Sequence, residues 1–455
     1  MTVTTPAPSV RDVPGPRGRW PVGNAPSFRR GFLHAMTEGF RTYGDLVRFR
    51  IADRTFLIAS HPDLAQHVLV DHAADFPKRE ASFALGLLLG DGLVTNADHA
   101  SWLAQRRMMQ PMFHRARLAA MGDKMSDAAG RLVTRLEEHA GRVVDVADEM
   151  NLVTLDVITR TMFSADLGGE AGRVGPAVSQ GTRFVQARIS QPFTPPLAWP
   201  TPANLRFRRQ KGVLDAVVDR LIAARRESGE VSGDLLDMLL EARDEDTGGG
   251  MTDAQLRDEV LTVFSAGHET TANTLTLAWW LLSRHPEVRF RLHGELDRVL
   301  GGRLPTADDL TALPYTRAVL EETMRLFPAA AVTSPRRVVR DTALAGYRVP
   351  AEVSVFVSIY NIHHHPDVWG EPEVFDPGRF LDGERPAHRF AYLPFGAGAR
   401  KCIGSNLAMM EGTLILAAVA SRFDLVALPG HEVDLELAIT LRARGGLPMT
   451  VRLRP

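Results

Sequence analysis

Phe395-Gly396-Ala397-Gly398-Ala399-Arg400-Lys401-Cys402-Ile403-Gly404 surrounds the only cysteine among 455 residues. Gly398 and Gly404 let the backbone turn tightly and approach a flat partner where a Cβ would intrude. A loop of this kind aims amide N–H groups at a sulfur, and Arg400 adds positive charge that favours the thiolate and offers a partner to an acidic group on a ligand. A thiol framed in this way reads as a metal ligand; the alternative is a buried structural cysteine.

Working outward from that loop, 45% hydrophobic and 24% charged residues are ordinary for a globular protein. Lys and Arg number 53 against 54 Asp and Glu, so the net charge of -1 gives no general attraction for nucleic acid. A single cysteine excludes an intramolecular disulfide, which fits a reducing cytoplasm. Neither repeats nor low-complexity linkers interrupt the chain, and a single domain over 13–455 is expected. Residues 1–12 are polar, with no apolar run near the ~20 residues that span a bilayer, and are expected to form a disordered tail rather than a membrane anchor.

Leu46 to Ala52 and Thr55 to Ala59 read as short strands of a hairpin. Helical spacing of apolar residues then dominates, over Leu118 to Glu138, Thr154 to Phe163 and Gly212 to Arg226. The proline-rich passage Gln191 to Pro200 is a loop. Thr252 and Gln255 have the form of a capping box, and an apolar pattern runs from there to Arg284, where His285-Pro286 stops it. Strand-like stretches return at Tyr347 to Val349, at Val353 to Ile359 and near the C-terminus, so strands are a minority gathered at the two ends.

Inside the long helix, Ala266-Gly267-His268-Glu269-Thr270-Thr271 places a helix-weakening glycine beside an acid and two hydroxyls. Glycine there costs about 1 kcal/mol relative to alanine. Threonine hydroxyls bonding the carbonyl one turn back open such a helix locally and leave room for a ligand or water; ordinary helix packing is the alternative. Glu322 and Arg325 are three residues apart on one predicted helix face, a spacing usually met in solvent-exposed pairs. His363-His364-His365 are consecutive, and successive residues point in different directions, which argues against a metal site.

Together these motifs resemble one family. Phe395-x-x-Gly398-x-Arg400-x-Cys402-x-Gly404 is similar at five positions to the haem-binding loop of the cytochrome P-450 family, the haem-thiolate monooxygenases. Glu269-Thr270 resembles the acid-alcohol pair of that family, and Glu322-Thr323-Met324-Arg325 its Glu-x-x-Arg motif. Phe375-Asp376-Pro377-Gly378-Arg379-Phe380 resembles the later segment that supplies a second arginine. The resemblance covers the chain after Val13-Pro14-Gly15-Pro16, which is itself similar to the family's proline-rich hinge.

That resemblance implies a mainly α, triangular fold with a large helical region and a small β-rich lobe, binding haem b (iron protoporphyrin IX). It implies Cys402 as the axial iron ligand, Phe395 and Ala266 against the haem, and Trp102, Arg106, Arg336 and Arg400 as donors to its propionates, with Arg337 and Arg340 leaving the register of Arg336 open. Glu269 would supply protons and Thr270 would hydrogen-bond dioxygen. Glu322, Arg325 and Arg379 would form a buried ion network that fixes the cysteine loop.

The implied reaction inserts one oxygen atom from dioxygen into a lipophilic molecule such as a terpene, a fatty acyl chain or a polyketide-like product. Apolar stretches that line the pocket in relatives correspond to Phe83–Leu89, Phe184–Trp199, Phe264–Thr271, Ala329–Thr333 and Ala438–Leu441. Electrons would come from a ferredoxin or flavodoxin with its reductase, docking where Arg107, Arg115, Arg117 and Lys401 offer positive charge. A cytoplasmic monomer is expected. A peroxide-driven oxygenase or isomerase, and a haem protein that senses without turnover, are the alternative readings.

Overall fold

The computed structural model describes residues 8–454 apart from 80–82, 166–170, 191–193, 230, 244–247 and 382–385. Two compact units emerge, one formed by Met1–Ala81, Met324–Phe375 and Asp382–Cys402, the other by Ser82–Thr323, Asp376–Leu381 and Ile403–Pro455.

The first unit is built on a four-stranded sheet in the order Leu46–Ile51, Arg54–Ala59, Ser354–Val357, Arg336–Arg337. The expected hairpin is present, with Leu46 opposite Ala59, and its turn places Ala52 at a φ of 52°. Arg54–Ala59 then pairs in parallel with Ser354–Val357. A strand paired on both edges and covered on both faces reads as a continuous apolar run instead of an alternating one. Phe56-Leu57-Ile58-Ala59 is such a run: Leu57 and Ala59 pack with Val355, Val357 and Leu393, while Phe56 and Ile58 pack on the other face with Met36, Val47 and Phe49.

The tail expectation is corrected in part. Residues 1–7 lie outside the described residues, but residues 8–12 are tied down: the Arg348 amide donates to the Pro8 carbonyl at 2.7 Å, and Ser9 bridges to Arg348. Val13 is buried in the core of this unit, and the Arg48 amide bonds the Pro14 carbonyl. A Cβ on Gly15 would lie 2.0 Å from the Arg48 carbonyl oxygen, so only glycine permits this approach.

Helices dominate the second unit. The long helix, Asp253–Arg284, begins at the predicted capping box, with Thr252 and Gln255 each bonding the other's backbone amide, and ends at His285. It packs along Val146–Met162, and Gly122–Glu138 packs against Ser405–Ala420. At 32 residues the long helix is about 48 Å from end to end.

Three helix boundaries differ from expectation, the helix expected from Thr154 beginning at Val146 behind an Asp145 cap. The segment predicted from Leu118 divides into Arg115–Ala119 and Gly122–Glu138; a Cβ on Gly122 would meet that of Ala307 at 2.5 Å. The helix predicted from Gly212 starts at Pro202, capped by the Thr201 hydroxyl, which accepts the Asn204 amide. Thr-Pro at these positions is a local start signal. Strands are not confined to the chain's ends either, since Val143–Asp145 joins Pro448–Leu453 and Phe423–Ala427 in a three-stranded sheet. Among the described residues no helix is long and apolar enough to cross a membrane.

Candidate functional site

In the first unit the Cys402 loop is held by its own backbone. The Gly396 amide donates to the Leu393 carbonyl, the Lys401 amide to Gly398 and the Cys402 amide to Phe395, all within 3.1 Å. Gly398 adopts a φ of +70°, and a Cβ there would stand 2.1 Å from the Leu69 carbonyl oxygen, so glycine is obligatory. Gly404 is different: its φ of -86° suits any residue, and its Cβ would make only ordinary contact with Phe113. Cys402 is solvent-exposed and in no disulfide.

Behind the loop stands a residue to which sequence reasoning gave no role. His363 is fully buried, its Nε2 accepts the Leu393 amide at 2.8 Å, and its Nδ1 faces the Arg325 carbonyl at 3.1 Å. Since Nε2 accepts, Nδ1 carries the proton, and the ring is neutral with both nitrogens satisfied. Burial, reinforced by the neighbouring His364 and the Arg325 charge, draws its pKa down to about 3. Arg325 is buried too; its guanidinium donates to the carbonyls of His363, Pro372 and Val374 and lies 5.1 Å from the centroid of the Trp369 ring. In the second unit Glu322 is fully buried, accepts the Asp376 amide at 3.0 Å and pairs with Arg379 at 3.5 Å.

The other two histidines turn elsewhere. His364 stacks on Tyr360, while His365 faces Asp45 at 3.0 Å through Nε2. Asp45, His61 and His365 lie close enough together for a cation. However, Nδ1 of His61 and of His365 each accepts a backbone amide, from Asp63 and Asp367, which leaves both Nε2 atoms protonated as donors and unsuited to ligate a metal.

The first unit also gathers cations. Arg79 and Arg337 exchange backbone hydrogen bonds with Pro335 and Pro77, which sets Lys78 opposite Arg336. Burial, with the charges of Arg400 and Arg336, pulls the Lys78 pKa down to about 7. Arg336 is also lowered by burial, and its Nε has no hydrogen-bond partner among the described residues. Its neighbours are served differently: Arg340 pairs with Asp75 at 2.7 Å and Arg337 approaches Glu352 at 4.0 Å. Sequence alone left the register of these arginines open; here Arg336 is the one turned inward. Three cations crowded in a poorly solvated place call for an anion, and the paired carboxylates of haem fit that demand. Lys78 escaped the sequence reading because no spacing marks it; only the strand pairing brings it to Arg336.

In the second unit the helix His99–Met109 carries Trp102, buried, with the Arg106 guanidinium 5.6 Å from its ring centroid. Arg106 is half-buried, whereas Arg107, Arg115 and Arg117 are exposed, as is Lys401 in the first unit. Gly267 of the long helix has a packing reason, because a Cβ there would run into Ile158 at 2.5 Å. Around it threonine hydroxyls bond helix carbonyls. Thr270 donates to the Ala266 carbonyl at 2.9 Å and Thr274 to that of Thr270 at 3.0 Å, while the Thr154 hydroxyl of the adjacent helix lies 2.9 Å from its own Met150 carbonyl and 3.1 Å from that of His268. Glu269 accepts the Thr440 hydroxyl at 2.8 Å, and the Thr182 hydroxyl lies 3.4 Å from its other oxygen. Of the expected substrate-facing residues, Phe184 stacks on Phe207, Leu88 and Leu89 are buried, and Phe193 lies outside the described residues. Arg183 is exposed and Arg188 is spent on the Pro195 carbonyl.

Comparison with known proteins places these observations. The model of the family described as Cytochrome P450 matches residues 13–443. Cyclooctat-9-en-7-ol 5-monooxygenase of Streptomyces melanosporofaciens is 37% identical, over 91% of this chain and 92% of its own length. Cyclooctatin synthase of the same organism is 38% identical, over 88% and 87%. Pentalenene oxygenase of Streptomyces avermitilis (strain ATCC 31267) is 36% identical, over 90% and 91%.

Two outcomes follow from the buried histidine and the buried lysine. His363 folds with a pKa below its unfolded value near 6.5, so its contribution to stability is present above about pH 6.5 and is lost as pH falls toward 3. Denaturant unfolding of His363→Leu should therefore show a lower midpoint at pH 7 and a shallower decline between pH 6.5 and 4 than the unaltered protein. Lys78 reverses the sense: a carboxylate beside it restores its proton, so haem uptake binds a proton above about pH 7 and weakens as pH rises. Soret titration of apoprotein between pH 7 and 9 should show that slope, and Lys78→Met should flatten it.

Proposed function

Since the chain belongs to the cytochrome P450 family and is a haem-binding monooxygenase, we propose that its substrate is a terpene-derived hydrocarbon or alcohol. The observation that carries this reading is the similarity, over about nine-tenths of the chain, to enzymes whose names speak of oxygenating cyclooctat-9-en-7-ol and pentalenene. Apolar Leu88, Leu89, Phe184, Val332 and Ile439, in segments that face substrate in relatives, suit such a molecule.

Haem with a thiolate ligand supplies the activation of dioxygen, one atom entering the substrate and the other leaving as water. The chain's residues would do the rest. Cys402 would ligate the iron from a loop held by its own backbone hydrogen bonds, and Phe395 and Ala266 would lie against the porphyrin. Lys78, Arg336 and Arg400 would hold the propionates, the role in which the family's pattern also puts Trp102 and Arg106. The Thr270 hydroxyl proton is committed to the Ala266 carbonyl, so the lone pairs of its oxygen are what it offers to a water or a reacting group. Glu269 supplies protons. Electrons arrive from a ferredoxin or flavodoxin with its reductase, drawn to the exposed Arg107, Arg115, Arg117 and Lys401. The protein acts as a cytoplasmic monomer.

The purified protein, reduced under carbon monoxide, should give the absorption band of thiolate-ligated haem, and Cys402→Ala should lose it. Cyclic terpenes should then shift the iron's spin state and gain one oxygen atom when NADPH and surrogate redox partners are added; turnover of fatty acids alone would overturn the terpene assignment. Thr270→Ala should lower product formed per NADPH several-fold, with peroxide rising and the carbon monoxide spectrum unchanged. Undiminished yield in that variant would favour peroxide-driven chemistry.

A further inference from the structure

Glu269 is anchored by a residue from a distant part of the chain. The hydroxyl of Thr440, in the turn between Leu435–Leu437 and Leu441–Ala443, donates to Glu269 Oε1 at 2.8 Å. Asn273, one helical turn beyond Glu269, donates through Nδ2 to the same Thr440 oxygen at 3.2 Å. A hydroxyl has one proton to give. With the amide supplying a donor from behind, that proton is turned toward the carboxylate. Both Thr440 and Asn273 are buried, and the turn is closed by the Ala438 amide on the Thr440 carbonyl at 3.1 Å. Thr182 holds the other oxygen only loosely: its hydroxyl lies 3.0 Å from the Val178 carbonyl and 3.4 Å from Glu269 Oε2, so its single proton goes to the carbonyl.

We propose that Thr440, oriented by Asn273, is a positioning residue that fixes Glu269 Oε1 as a permanent acceptor and so confines the acid's transferable proton to Oε2. The anchor gives the proton source a direction. Oε1 is occupied by a donated hydrogen and cannot carry a proton in that direction, whereas Oε2, without a committed donor, is left to take a proton and release it. This inference rests on the proton-supplying role of Glu269 proposed above.

The test compares Thr440→Val, which keeps the shape and loses the hydroxyl, with Thr440→Ser, which keeps it, and Asn273→Ala, which frees the hydroxyl to rotate. In the haem-loaded protein, decay of the oxygenated reduced form needs no substrate. Thr440→Val should change the solvent isotope effect on that decay and lower product per NADPH about tenfold, the scale of one charge-assisted hydrogen bond. Asn273→Ala should fall between, and Thr440→Ser should return within about twofold of the unaltered protein. The infrared carboxyl band that disappears in Glu269→Gln should shift in Thr440→Val and not in Thr440→Ser. An unmoved band and isotope effect in Thr440→Val, or a Thr440→Ser variant as impaired as Thr440→Val, overturns the proposal. Failure of the functional reading shows separately, as unaltered protein that oxygenates no terpene or shows no decay sensitive to Glu269→Gln.

Discussion

A guanidinium with no access to water must find an acceptor for nearly every N–H it carries, and in this protein Arg325 finds three of them in the carbonyls of His363, Pro372 and Val374. The carbonyls of Pro372 and Val374 belong to irregular chain and that of His363 to the end of the short helix Ile359–His363, so none has a ladder of its own to satisfy it. The charge thus turns a wandering segment into a fixed one. His363 extends the effect, because the same residue whose carbonyl meets Arg325 passes its ring to the Leu393 amide, and Leu393 in turn receives the Gly396 amide at the entrance to the Cys402 loop. Removing one member would leave a buried polar group unmet, which costs more than the lost bond itself.

A second constraint runs the other way. Lys78, Arg336 and Arg400 are positioned so that they oppose one another, and the strand pairing of Lys78 with Arg336 leaves no freedom to avoid it. Such a cluster is unfavourable alone and favourable around carboxylates, so part of the folding energy is held back until the cofactor binds. Arg337 and Arg340, one and four residues further on, have acidic neighbours and carry no such tension.

The long helix stays continuous through the stretch that carries Glu269 and Thr270. Its threonine hydroxyls add second donors to carbonyls one turn back, and the Thr154 hydroxyl of the adjacent helix comes within 3.1 Å of the His268 carbonyl. Glycine at 267 answers a steric demand from Ile158. Close approach of the two helices at Gly267 thereby sets the position of Glu269 and Thr270.

Where the signal was local, the sequence carried it. The capping box at Thr252 fixed the start of the long helix because both of its hydrogen bonds close within three residues, and the loop around Cys402 announced itself because Gly398 answers a close backbone approach that no other residue tolerates. The Thr201-Pro202 start signal was equally local and was passed over in favour of apolar spacing that begins later. Lys78, His363 and Thr440 had no such mark. Their roles come from partners 258, 38 and 171 residues away, at Arg336, Arg325 and Glu269, and a single chain read in order does not say which distant residues will share a buried space. The sequence by itself determined the family, because its motifs depend on residue type at short spacing; tertiary structure alone decided which cation is turned inward and which atom of the acid is held, because burial and hydrogen-bond direction exist only once the chain has folded.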